Sequence, residues 1–215
     1  MKVLFLSLFL GVSGVAIVAQ SPTSPAKANA RPTPTPEKTT EPYDKADVAT
    51  MASKCVLLST EVGDIEIELF PESAPETVRN FLNLVAIGAY DTTTFSRVVP
   101  GFVDQGGNIW TRIGGVSMEL GTRARRTIPD EPSKILHERG IVSMARTDTP
   151  HSATTNFFIL VDSAPTLDGT FSAFGRVTHG MDVVDAINKA PVTGEKPDKP
   201  VRLKAAKVSS CTPAN

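Results

Sequence analysis

The run from Phe95 to Asn108 reads FSRVVPGFVDQGGN. It joins one cation, Arg97, to an apolar stretch and then to the amide of Gln105. A guanidinium stays protonated and donates hydrogen bonds from a rigid fork. A carboxamide both donates and accepts. Alternate residues of a strand share one face, so the run can gather a cation, an apolar platform and an amide, although the bend at Pro100-Gly101 resets the alternation. A second run, Ser143 to Val161, reads SMARTDTPHSATTNFFILV and sets the Asn156 amide beside two phenylalanines, at least one of which belongs in a core. A third, Thr166 to Gly175, reads TLDGTFSAFG. Other chemistries have little support. His137, His151 and His179 show no HExxH spacing, and GxSxG, GxxxxGK[ST] and GxGxxG are all missing from the sequence. Two cysteines are too few for a Cys-rich zinc site. A hydrolase built on Ser143 or Ser152 with a histidine finds no acid, base and nucleophile set.

The elements around these runs read as mainly β. In Val56 to Leu69, Ile65, Ile67 and Leu69 alternate with Asp64, Glu66 and Glu68, which predicts a half-buried strand. Glu61-Val62-Gly63 predicts the hairpin turn before it. Ser73 and Glu76 match a capping box. Val78, Phe81, Leu82 and Val85 then form one apolar helix face, with Gly88 as its stop. Short strands follow at TFSRVV, FVDQGG, GIVSMA, NFFILV and AFGRVT, and Asp168-Gly169 predicts a two-residue hairpin. A second helix is expected across MDVVDAINKA, and a last strand from Val201 to Ser209. Many short strands with turn signals predict a closed antiparallel barrel whose open ends are covered by two helices. Cys55 starts the first strand and Cys211 follows the last, so antiparallel pairing of these strands would bring the two together as a candidate disulfide, with two unpaired thiols as the alternative.

The 215 residues carry 22 Lys+Arg against 23 Asp+Glu. That balance argues against attachment to nucleic acid by bulk charge. Arg123, Arg125, Arg126 and Arg139 are candidates for a local basic surface, with solvated loop charge as the simpler reading. After Met1-Lys2, residues 3–19 are uncharged and apolar, a signal-peptide pattern over residues 1–19. Proline-rich, aromatic-poor sequence from residue 21 cannot bury enough apolar surface to fold, so residues 20–52 are expected as a linker and 53–213 as the folded domain. An extracytoplasmic location, periplasmic or secreted, follows from residues 1–19, with membrane contact only through an uncleaved N-terminus.

The three chemical runs, in this order, resemble the cyclophilin peptidyl-prolyl isomerases. The matching blocks are FSRVVPGFVDQGGN, the SMA run ending in NFFI, and LDG followed by FGRV. The resemblance covers about residues 55–210, and the SMART…SAT…NFFI variant is similar to the exported bacterial branch. It implies a closed eight-stranded antiparallel β-barrel capped by two α-helices. It implies an isomerase of X-Pro bonds that needs no cofactor or metal, acts as a monomer on proline-containing segments of exported proteins, and binds no nucleic acid. By this resemblance Arg97 is the catalytic arginine, and Phe102, Val103, Phe158 and Leu167 form the proline pocket. Gln105, Ala145, Arg146 and Asn156 flank the substrate backbone. Phe171 stands where relatives carry His or Tyr, and Asn156 where many carry the longer Gln. The alternative is a peptide-binding chaperone or scaffold with weak catalysis.

Overall fold

The computed structural model describes residues 40–211. The expected signal peptide, the linker up to residue 39 and residues 212–215 lie outside them. Strands β1 (Lys54–Thr60) and β2 (Gly63–Leu69) form the first hairpin, turning at Glu61-Val62. Helix α2 (Pro75–Ala86) follows, and the short α1 (Val48–Ala52) precedes β1. Then come β3 (Arg97–Val99), β4 (Val103–Gly106), α3 (Met118–Arg123), β5 (Ile141–Met144), β6 (Phe157–Leu160) and β7 (Ala173–His179). Helix α4 (Met181–Asn188), a small β8–β9 hairpin (Val192–Thr193 and Lys196–Pro197) and β10 (Leu203–Ser210) complete the described chain.

Eight strands make one antiparallel sheet in the order β10-β1-β2-β7-β5-β6-β4-β3. The sheet curls into a half-barrel with β10 and β3 as edges, which replaces the closed barrel expected from the sequence. Across the gap, residues at the starts of those two strands meet. The Phe95 N–H donates to Val201 O and the Leu203 N–H to Thr93 O, around a single bridge from Thr94 to Arg202. Strand β3 is thus left without a full strand partner on one side, and it is short enough to present a brief edge.

The apolar face predicted for α2 is fully or almost fully buried, with Phe81 packed against the rings of Tyr90, Phe157 and Phe174. Its cap is not the predicted Ser73–Glu76 box. Ala74 is the N-cap and offers no side-chain bond. The Glu131 carboxylate accepts from the Glu76 and Thr77 N–H groups at 3.0 and 2.7 Å, so a distant loop satisfies the exposed helix donors. Helix α4 lies over β2, β3 and β4.

Other expectations change in detail. Residues 41–52, which the sequence predicts as the end of the linker, are strapped to the domain. The Arg79 guanidinium donates to Tyr43 O and Ala46 O, Asn83 Oδ1 accepts from the Tyr43 N–H, and Glu41 pairs with the buried Arg123. Asp168-Gly169 does not turn a hairpin. It follows a 3-10 turn at Pro165–Leu167, and the Asp168 carboxylate is drawn away to His137. The basic surface is not assembled either: Arg123 is buried on Glu41, Arg139 forks onto Asp185, and Arg125 sits over Trp110. Strand β1 pairs with β10 with Cys55 opposite Ser209, and Cys55 and Cys211 are joined by a disulfide.

Candidate active site

Strands β3 and β4 form a hairpin through Pro100-Gly101-Phe102, and Arg97 falls directly opposite Gln105. Gln105 in turn lies opposite Phe158 on β6, and Phe158 opposite Ser143 on β5. Directly opposed residues of an antiparallel pair share a face. One row across four strands therefore carries a guanidinium, an amide, an aromatic ring and a hydroxyl. The next row on that face holds Val99, Val103 and Leu160. The turn does not spoil the alternation, because the cross-strand register after it restores the shared face.

A second apolar cluster forms on this face, apart from the main core. Its buried members include Val103, Phe158 and Leu160, and Phe102, Ala145, Leu167 and Phe171 pack against them only partly buried. Between them opens a cavity of about 210 Å³ lined by Arg97, Phe102, Val103, Gln105, Ala145, Arg146, Phe158, Leu167 and Phe171. Phe158 and Phe171 meet edge to face at 5.9 Å, and the Arg146 guanidinium lies 4.8 Å from the Phe171 ring centre. That stacking is a cation–π contact. The structure thus brings together every candidate site residue except Asn156. Asn156 stands just before β6, where its carbonyl accepts from the Ala145 N–H and its side-chain oxygen from the Thr155 hydroxyl. Its amide, one methylene shorter than glutamine, is engaged locally. Behind it, Gly107 is required by close approach: at φ +81°, a Cβ there would lie 2.4 Å from the Thr155 carbonyl oxygen.

Arg97 is held on two sides. Its Nε and Nη2 donate to the two oxygens of Glu195 at 2.6 and 3.1 Å, and its Nη1 donates to Gln105 Oε1 at 3.3 Å. The guanidinium hydrogen-bonded to it holds the Glu195 carboxyl below the usual carboxylate range. Nothing in the local sequence pointed to Glu195, which is 98 residues from Arg97. On the opposite face of β4, Asp104 is fully buried. Burial pushes its carboxyl up to about 7, against a lowering hydrogen bond from Asn188.

A hydrogen-bonded chain also links Ser143 Oγ, His137 and Asp168, with His137 Nε2 2.9 Å from Ser143 and Nδ1 3.1 Å from Asp168. The residue types are those of an acyl-transfer triad. Ser143 is completely buried and His137 2% exposed, so no substrate carbonyl reaches the hydroxyl. The chain instead ties the segment bearing Leu167 and Phe171 to β5, and the His137 N–H bond to Asp168 keeps that carboxyl below its ordinary value.

Comparison with known proteins gives a consistent picture. Residues 55–208 match the family of cyclophilin type peptidyl-prolyl cis-trans isomerases. A probable peptidyl-prolyl cis-trans isomerase of Brucella suis is 40% identical over 143 residues, covering 62% of this chain and 71% of that protein. A peptidyl-prolyl cis-trans isomerase of Acinetobacter baylyi is 36% identical over 175 residues, covering 76% and 90%. A cyclophilin type isomerase of Cryptosporidium parvum, crystallised in the presence of the dipeptide Ala-Pro, superposes with a TM-score of 0.64 at 30% identity, covering 73% of this chain and 99% of that one. With the family matched over the whole half-barrel and its pocket, the chain belongs to the cyclophilin-type peptidyl-prolyl cis-trans isomerases and is an enzyme of that class.

Proposed function

We propose that the pocket accelerates X-Pro rotation through Arg97, acting on proline-containing segments of exported proteins as a member of the exported bacterial branch. The observation that carries the Arg97 role is the row Arg97, Gln105 and Phe158, which sets a cation beside an aromatic-walled cavity. Amide resonance sets a barrier of about 18–20 kcal/mol to rotation. Twisting breaks the resonance and leaves a lone pair on a pyramidal prolyl nitrogen. A guanidinium N–H donates to that lone pair only in the twisted state. Such an interaction stabilises the transition state without stabilising the planar substrate, and so raises kcat. Phe102, Phe158 and Leu167 hold the proline ring while the preceding carbonyl swings, and the Gln105 amide faces the substrate backbone.

Exchange between cis and trans Ala-Pro peptide, followed by NMR with the full chain and with Arg97→Ala, tests this reading. The expected loss in the variant is at least about tenfold, or about 1.4 kcal/mol. A folded wild-type chain without acceleration would instead favour a peptide-binding scaffold. The export reading is supported by the apolar residues 3–19 and by the Cys55–Cys211 bond, since disulfides persist in oxidising compartments. Cell fractionation that recovers the chain uncleaved in the cytosol with both thiols reduced would overturn it.

A further inference from the structure

We propose that Glu195 is a positioning residue for this reaction, acting through Arg97; the proposal rests on the assignment of Arg97 above. Glu195 lies in the two-residue turn that joins β8 to β9, where Gly194 adopts a φ of +65° and makes the tight reversal possible. The turn is docked onto the pocket hairpin by its backbone, because the Glu195 carbonyl accepts from the Val98 N–H at 2.8 Å. The carboxylate therefore starts from a fixed point next to β3. From there both of its oxygens reach the Nε and Nη2 edge of Arg97.

The pair is exposed, with 39% of the Arg97 side chain and 57% of the Glu195 side chain accessible. Exposed ion pairs contribute little to stability, typically about 0–1 kcal/mol. The fold does not depend on this contact, so its consequence lies in geometry. A fork-to-fork pair fixes the plane of a guanidinium as a single contact does not. A guanidinium has five N–H donors. Glu195 engages two and Gln105 one, at opposite ends of the group. The two that remain are carried by Nη1 and Nη2 of a side chain that lines the cavity. Without Glu195 the long side chain is held by one 3.3 Å bond to Gln105 and is free to rotate away from the prolyl nitrogen. Orientation of a reacting group before the barrier is climbed acts on kcat and leaves ground-state binding of the peptide nearly untouched.

The test is a double-mutant cycle on the full chain, with Ala-Pro peptide as the probe and exchange rates measured against peptide concentration. Four proteins are compared: wild type, Glu195→Gln, Arg97→Ala and the two changes combined. The expected result is a fall in kcat of about three- to tenfold in Glu195→Gln with KM within about twofold. In the Arg97→Ala background the same change should have no further effect, since the group it positions is gone. Thermal melts of all four should agree closely. An equal loss in both backgrounds overturns the proposal in favour of a general structural role. Unchanged or faster exchange in Glu195→Gln overturns it too, the latter because the carboxylate would then be withholding Arg97 from the substrate. If Arg97→Ala itself retains the full rate, the Arg97 assignment fails and the positioning proposal with it. Loss in Arg97→Ala without loss in Glu195→Gln removes only the positioning proposal.

Discussion

Phe157 and Phe158 are consecutive on β6 and enter two environments built to opposite requirements. Phe157 is fully buried among the rings of Phe81, Tyr90 and Phe95, with centroid distances of 5.5, 5.6 and 6.4 Å. Every side of it is in contact, as close-packed interiors demand. Phe158 points to the other face of the sheet, where it meets the edge of Phe171 on one side and the open cavity on another. The core cluster is complete without a ligand. The pocket cluster is an apolar layer with part of its surface left uncovered, and a proline ring can supply the missing contacts. Strand alternation alone separates the two, so one strand serves both folding and binding.

The comparison can be broken most severely from the core side. Phe157→Ala should cost about 3–5 kcal/mol, because the closely packed rings leave a cavity that relaxes only in part. Urea unfolding would read this, and a loss below about 1 kcal/mol would mean that the core is looser than its packing implies.

A second, smaller effect concerns the core face of β4. Asp104 stands there in a row with Val98, Ile159 and Val142. With its folded carboxyl pushed up to about 7 by burial, the native chain binds a proton that the unfolded chain releases near about 4. The stabilising contribution is complete below about pH 4 and is lost as the pH rises through about 7, to a total on the order of 4 kcal/mol. Unfolding free energies at pH 5 and pH 8 should therefore differ in that direction for wild type. Asp104→Asn, which carries no charge at either pH, should flatten the difference, and an equal slope in the variant would assign it to another group.

The mildest effect on stability belongs to the pocket side. Phe158→Ala should cost about 2–3 kcal/mol, less than Phe157→Ala because the 6% exposed ring borders the cavity and is not packed by rings all round, while slowing Ala-Pro exchange by about tenfold or more. Should it destabilise the chain as much as Phe157→Ala, the distinction between a finished core and an uncovered pocket would fall.

What the sequence disclosed depends on the range of each interaction. The helix face of Val78, Phe81, Leu82 and Val85 repeats every three or four residues and was legible for that reason. Arg97 and Gln105 were legible as a pair because only a short turn separates them. Cys55 and Cys211 could be joined once the first and last strands were expected to pair. Glu131 capping α2 and Glu195 holding Arg97 act across 55 and 98 residues with no periodic signal. Asp168 shows the same limit from the other direction: its Asp-Gly sequence favours a local hairpin, but its carboxylate is engaged by His137, 31 residues away. The half-barrel opening was hidden as well, because alternation marks strands and says nothing about whether the two outermost ones meet.

The bond between Cys55 and Cys211 joins points 156 residues apart in sequence. Mechanically it is a short circuit. Tension entering along the chain before Cys55 and leaving after Cys211 passes through the sulfur atoms, and the strands between them carry none of the load. The strap of residues 41–52 lies outside that circuit and is attached through Tyr43, Ala46 and Glu41. Under a pull it peels first, while the row of Arg97, Gln105 and Phe158 stays slack and in register.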